Sequence, residues 1–138
     1  MQKYYPQTLN MQIPQEMPYV RLPVDNIDEK IEKLSESYNI EKRQKVKEFV
    51  NNNPKLIQYL DKITPIINNY FPHNLKTLTF CEDPEFEELN DITIYIHTTE
   101  SEYPADWKKY DELETEILTR NDFSTKIKQL VSISLWFL

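Results

Sequence analysis

Among 138 residues there is not one glycine. Glycine is the residue that takes positive φ without steric cost and lets a backbone approach a ligand closely. A chain without it must turn on Asn, Asp and Pro, and Asn51-Asn52-Asn53, Asn68-Asn69 and Asn121-Asp122 supply the expected turns. The same absence removes phosphate-cradling loops, nucleophile elbows and dinucleotide fingerprints in their usual form.

Against that constraint, the stretch from Lys76 to Thr99 reads as the organising element. Leu78 and Phe80 alternate with Thr77, Thr79 and Cys81, and Ile92, Ile94 and Ile96 alternate with Thr93, Tyr95 and His97. A period of two is that of a strand with one buried face. Between the rows lies Glu82-Asp83-Pro84-Glu85-Phe86-Glu87-Glu88-Leu89-Asn90-Asp91. The expectation is a β-hairpin with an acidic tip, its strands at 76–81 and 91–98.

Residues 1–25 form an expected extended arm, because Pro6, Pro14, Pro18 and Pro23 exclude a long helix. The arm also carries Tyr4, Tyr5, Leu9, Met11, Ile13, Met17, Tyr19, Val20 and Leu22, too apolar a set for free solvation. It packs back on its own domain or docks on another chain, which offers a route to homo-oligomers. Residues 26–138 are read as one α+β domain. Helices are expected at 26–38, 41–52 and 54–71, where Asn26 with Glu29, and later Asn53 before Pro54, resemble N-caps. Pro65 is expected to bend the third helix near Asp61 and Lys62. A helix at 104–119 should turn Trp107, Tyr110, Leu113 and Ile117 inward. A closing strand follows at 130–137, from the alternation of Val131, Ile133, Leu135 and Phe137. N-terminal helices therefore precede a strand-strand-helix-strand unit with a small three-stranded mixed sheet. Strands two and three are parallel through a right-handed crossover, and the expected order is 2-1-3.

From Phe80 to Glu116 thirteen acids face only Lys108 and Lys109, a local balance of −11 within a total of −7. Such a segment disfavours direct nucleic-acid binding and favours a basic protein partner. Lys42, Arg43, Lys45 and Lys47 read as a solvated helix face, diluted by Glu41 and Glu48. No run of eighteen apolar residues suggests a membrane span, no signal-peptide pattern opens the chain, and Cys81 is alone. A reducing, cytoplasmic setting is expected.

Cys81 and His97 fall on the same face of neighbouring strands, the raw material of a thiolate–imidazole pair, although no third orienting group is identifiable. Asp83, Glu85, Asp91 and His97, with His73 nearby in sequence, are the residues a metal-dependent hydrolase or nuclease would use. Their spacing matches neither a zinc pattern nor a calcium loop. A nucleic-acid-mimicking inhibitor is a third reading. No catalytic residue, metal or cofactor is assigned.

Tyr70-Phe71-Pro72, Asp83-Pro84-Glu85, Ile94-Tyr95-Ile96-His97-Thr98 and Tyr110-Asp111-Glu112 together give residues 54–138 a resemblance. The segment resembles a family of small prokaryotic α+β proteins, mainly cyanobacterial, with no assigned activity. Where that family carries a tryptophan pair, Leu113 and Glu114 stand here. The resemblance implies an accessory protein of the antitoxin kind. The expected function is thus an acidic interaction or regulatory module that neutralises a basic partner. Its candidate contact residues are Glu82, Asp83, Glu85, Glu87 and Glu88 at the tip and Tyr4, Tyr5 and Tyr19 on the arm.

Overall fold

A computed structural model describes residues 26–137. The arm at 1–25, with Tyr4, Tyr5 and Tyr19, lies outside the described residues. The described elements are α1 (Ile27–Leu34), β1 (Asn39–Ile40), α2 (Arg43–Asn52), α3 (Pro54–Tyr70), β2 (Lys76–Cys81), β3 (Asp91–Thr98), α4 (Tyr103–Thr119), α5 (Thr125–Lys128) and β4 (Val131–Phe137). The class is α+β as expected, but the sheet has four strands rather than three.

The hairpin is in place: β2 and β3 run antiparallel, with Leu78 opposite Ile94 and Phe80 opposite Ile92. β4 is parallel to β3, as the helical connection through α4 requires. Its position corrects the expected order, because the sheet reads β1-β2-β3-β4. The free edge of β2 is taken by Asn39–Ile40, which pair in parallel with Thr77 and Leu78, so β4 lies on the far side beside β3.

That two-residue strand also explains why α1 stops early. Periodicity carries the stripe on to Tyr38, but the chain leaves the helix after Leu34 through successive turns. Tyr38 is buried for a tertiary reason, its hydroxyl lying 2.8 Å from Thr64 Oγ1. Burial drives its phenol pKa up.

Turn chemistry departs from expectation too. The two left-handed residues among those described are Asn26 (φ 56°) and Lys42 (φ 52°), not the later asparagine runs. Asn26 makes no side-chain cap, and Lys42 bears a conformation that glycine would take without steric cost. Asn53 likewise does not cap α3; its amide donates back to Phe49 O at 2.8 Å. Pro65 lies on the exposed side of α3, and the helix continues through it to Tyr70. Asp61, whose carbonyl loses its intrahelical donor, is exposed as well, so water can replace the missing bond.

The core lies between one sheet face and the helices. Leu78, Phe80, Ile92, Ile94 and Ile96 join Leu56, Leu60, Ile63, Ile67 and Phe71 of the α3 segment, Val46 and Val50 of α2, and Leu113 and Ile117 of α4. The basic turns of α2 are spent on surface pairs: Arg43 with Glu32, Lys47 with Asp28 at 2.7 Å, and Lys45 with Glu82 at 3.9 Å. Exposed pairs of this kind contribute at most about 1 kcal/mol each.

Candidate functional site

The acidic tip is a built loop. Asp83 Oδ1 accepts from Glu85 N–H at 2.9 Å and Phe86 N–H at 2.8 Å, and Asp83 N–H donates to Asn90 Oδ1 at 2.7 Å. The two amide donors hold the Asp83 carboxyl below its usual pKa range. A short 3₁₀ turn, Glu87–Leu89, closes the loop, with Leu89 N–H on Phe86 O and Asn90 N–H on Glu87 O. This folding brings Glu82, Asp83, Glu85, Glu87 and Glu88 onto one projection. It also pushes two apolar side chains outward among them, Phe86 at 51% exposure and Leu89 at 60%. Between the tip and α2 lies a depression of about 530 Å³, lined by Lys45, Phe49, Glu82, Glu87, Glu88 and Lys126 among others.

The other candidate residues are dispersed. Asp91 is committed inside the sheet, accepting from Thr93 Oγ1 at 3.0 Å and from Ser132 Oγ at 2.6 Å. Cys81 faces Asp91 in register and lies 3.1 Å from Thr93 Oγ1. His97 sits at the other end of the hairpin, its N–H on Leu75 O and its Nε2 2.8 Å from Thr77 Oγ1. Cys81 and His97 share a face, but six residues of strand put them roughly 20 Å apart. The same geometry separates His97 from Asp83, Glu85 and Asp91. Among the described residues no group of three or more His, Cys, Asp and Glu is arranged to hold a metal ion.

Two features were not read from the sequence. The first is a ring of buried polar groups beneath α4. Asp106 is buried and accepts from Thr98 Oγ1 at 2.7 Å and from Asn74 Nδ2 at 3.2 Å. Asn74 Nδ2 also reaches His97 O at 2.9 Å, and Asn74 O accepts from Lys76 Nζ at 3.1 Å. Leu113 and Ile117 are buried and Tyr110 packs part-buried against the core, as expected of α4; Trp107 alone departs from the stripe, 50% exposed, and Asp106 is buried beside it. The available signal was the spacing of seven from Asp106 to Leu113, obscured by the charge at its start.

The second feature is a row of aromatic rings. Tyr103, Trp107 and Tyr110 line one side of α4 and continue onto Phe137 of β4. Ring centroids are 4.9 Å apart for Phe137–Tyr103, 6.3 Å for Tyr103–Trp107 and 5.5 Å for Trp107–Tyr110, with interplanar angles of 31°, 26° and 28°. The Tyr110 hydroxyl reaches Ile133 O at 2.7 Å and Glu114 Oε2 at 3.0 Å. Burial, followed by the Glu114 contact, pushes its pKa up to about 12. This aromatic comb lies beside β4, at whose start the sheet approaches the acidic tip and at whose end the tip is a full strand length away.

Lys76 yields a pH-dependent expectation. Its burial holds the ammonium pKa below the ordinary 10.5. Between that lowered value and 10.5 the unfolded chain binds more protons, so this group makes stability rise with pH over that window. At neutral pH its full desolvation cost remains. The Lys76→Met variant should match or exceed the parent at pH 7, within about 1 kcal/mol. Urea midpoints from pH 7 to 10.5 should show the variant's advantage shrinking as pH rises; a constant difference contradicts the assignment.

No protein-family model, curated protein or solved structure matches the chain.

Proposed function

We propose that the chain is a protein-interaction module that binds a basic partner through the hairpin tip and regulates or neutralises it in the cytoplasm, in the manner of an antitoxin. The observation that carries the reading is the combination at the tip of a self-hydrogen-bonded acidic loop with two exposed apolar side chains, Phe86 and Leu89. A hydrated run of acids would have no reason to present them. Fixed carboxylates steer a basic surface into place, and a desolvated aromatic anchor supplies the holding energy. Preorganisation by Asp83 and Asn90 reduces the ordering cost of binding.

The test is capture of partners from native lysate, followed by affinity measurement with the identified protein. Reversal of Glu85, Glu87 and Glu88 to lysine should abolish capture. Phe86→Ala should weaken binding by about 2 kcal/mol, roughly thirtyfold. Affinity should fall as salt is raised. Capture indifferent to both charge reversal and salt rejects the proposal.

A further inference from the structure

We infer that the hollow at the start of β2 is a binding site for a small organic phosphate, with Lys76 as its central charge. The inference does not depend on the tip reading, since this hollow lies at the opposite end of β2 from the acidic loop. β1 pairs only with Thr77 and Leu78, so the edge of β2 is left open just before them. There a cavity of about 550 Å³ is lined by Lys76, Arg43, His97, Asn74, Thr77 and Ser37 among others. Lys76 is 7% exposed, yet no carboxylate lies within ion-pair distance of its ammonium among the described residues. The ammonium donates to Asn74 O at 3.1 Å, which uses one of its donors and none of its charge. Buried charges are ordinarily paired, because desolvation without a partner is costly.

A second orphan stands among the lining residues. His97 Nε2 is 2.8 Å from Thr77 Oγ1, while its Nδ1 is buried with no partner among the described residues. When Nε2 accepts the Thr77 proton, Nδ1 is a donor with nothing to meet. Asn74 ties these groups into one unit, its Nδ2 on His97 O at 2.9 Å and its own O on Lys76 Nζ. Arg43 adds a planar fork of donors, and its pair with Glu32 is exposed and so weakly held. Glu36 is the one carboxylate in the lining, and it is exposed. Two cations therefore face one carboxylate. A phosphate monoester brings the negative charge and the acceptor oxygens that such a set satisfies. The volume lies in the range of small-molecule pockets and exceeds what the anion alone needs, which leaves room for an organic body. A chain without glycine has no glycine-rich loop to cradle phosphate, so side-chain donors take that role.

The experiment titrates ribose phosphate into the isotope-labelled full chain at constant ionic strength and follows the amide signals by NMR. Signals of Lys76, Thr77 and His97 should shift together and saturate, while those of Phe86 and Leu89 stay still. Lys76→Met should weaken the affinity at least about tenfold, the weight of a charge-assisted hydrogen bond. Arg43→Gln, at an exposed position, should weaken it at least about threefold. Lys55→Met, exposed on α3, should leave it unchanged. Ligand at about ten times its dissociation constant should lower the parent's unfolding equilibrium constant about elevenfold, and that of Lys76→Met at most about twofold. Equal affinity in the parent and Lys76→Met overturns the inference. So does equal weakening by Lys76→Met and Lys55→Met, which would be bulk electrostatics alone. Should Lys76→Met fail to fold, an unchanged affinity in Arg43→Gln overturns it instead. Acetate binding as tightly as the ester rejects the phosphate assignment, and inorganic phosphate binding as tightly rejects the organic body. Shifts still linear at about 10 mM refute a specific site.

Discussion

Phe71→Ala is expected to remove about 3–5 kcal/mol of stability, the largest single effect anticipated in this molecule. Phe71 is fully buried and marks the point where α3 ends, its N–H bonded to Ile67 O at 2.8 Å. Its backbone has left the helical region, so the ring is carried from the end of the helix into the core. Lys109 Nζ from α4 lies 5.9 Å from the ring centroid. Truncation therefore empties a ring-sized volume between two helices and strips the cation of its aromatic face. Both sides of that cavity are held by continuous helices, which limits collapse around it. In urea the midpoint should fall with the slope nearly unchanged. Phe71→Leu, which keeps most of the volume, should cost well under half as much. A loss below about 1 kcal/mol for alanine contradicts the packing described.

Asp106→Ala should cost about 3 kcal/mol for a different reason. The carboxylate is the common acceptor for Thr98 Oγ1 and Asn74 Nδ2; without it Asn74 keeps His97 O, while the buried Thr98 hydroxyl is left with only Thr99 O at 3.4 Å. It also stands in the first turn of α4, where a negative charge complements the helix dipole. Thr98→Val removes one donor and should cost about 1 kcal/mol, since the acceptor keeps Asn74. The double variant should lose less than the two single losses added together, because one interaction is counted in both. Strict additivity in chemical denaturation would mean that the hydroxyl and the carboxylate act independently.

The contrast between these two positions marks how far sequence reading went. β2 and β3 were legible to the residue, because strict alternation needs no knowledge of neighbours. The parallel direction of β4 relative to β3 followed from the intervening helix, but the strand it pairs with did not. The order of strands did not follow, since it depends on Asn39–Ile40, too short to carry a periodic signal. The tip acids were visible as composition, but only Asp83 and Asn90 acting on backbone amides turn them into a defined projection. Trp107 was placed inward because tryptophan is bulky and apolar; Asp106 takes that place once Thr98 and Asn74 satisfy its charge. Hydrophobicity alone cannot anticipate a carboxylate whose partners arrive from elsewhere in the chain.

The phenol of Tyr110 on the carbonyl of Ile133 has a bearing on how copies of this molecule coexist. β4 reads Val-Ser-Ile-Ser-Leu-Trp-Phe, with neither proline nor charge to discourage a neighbouring strand. Tyr110 therefore acts as a doorstop on the outward rim of the sheet. At the opposite rim β1 offers a stub of two residues, too little for a stranger to grip. A molecule whose doorstop fails has a single adhesive border, so it would join its like in pairs instead of growing without end.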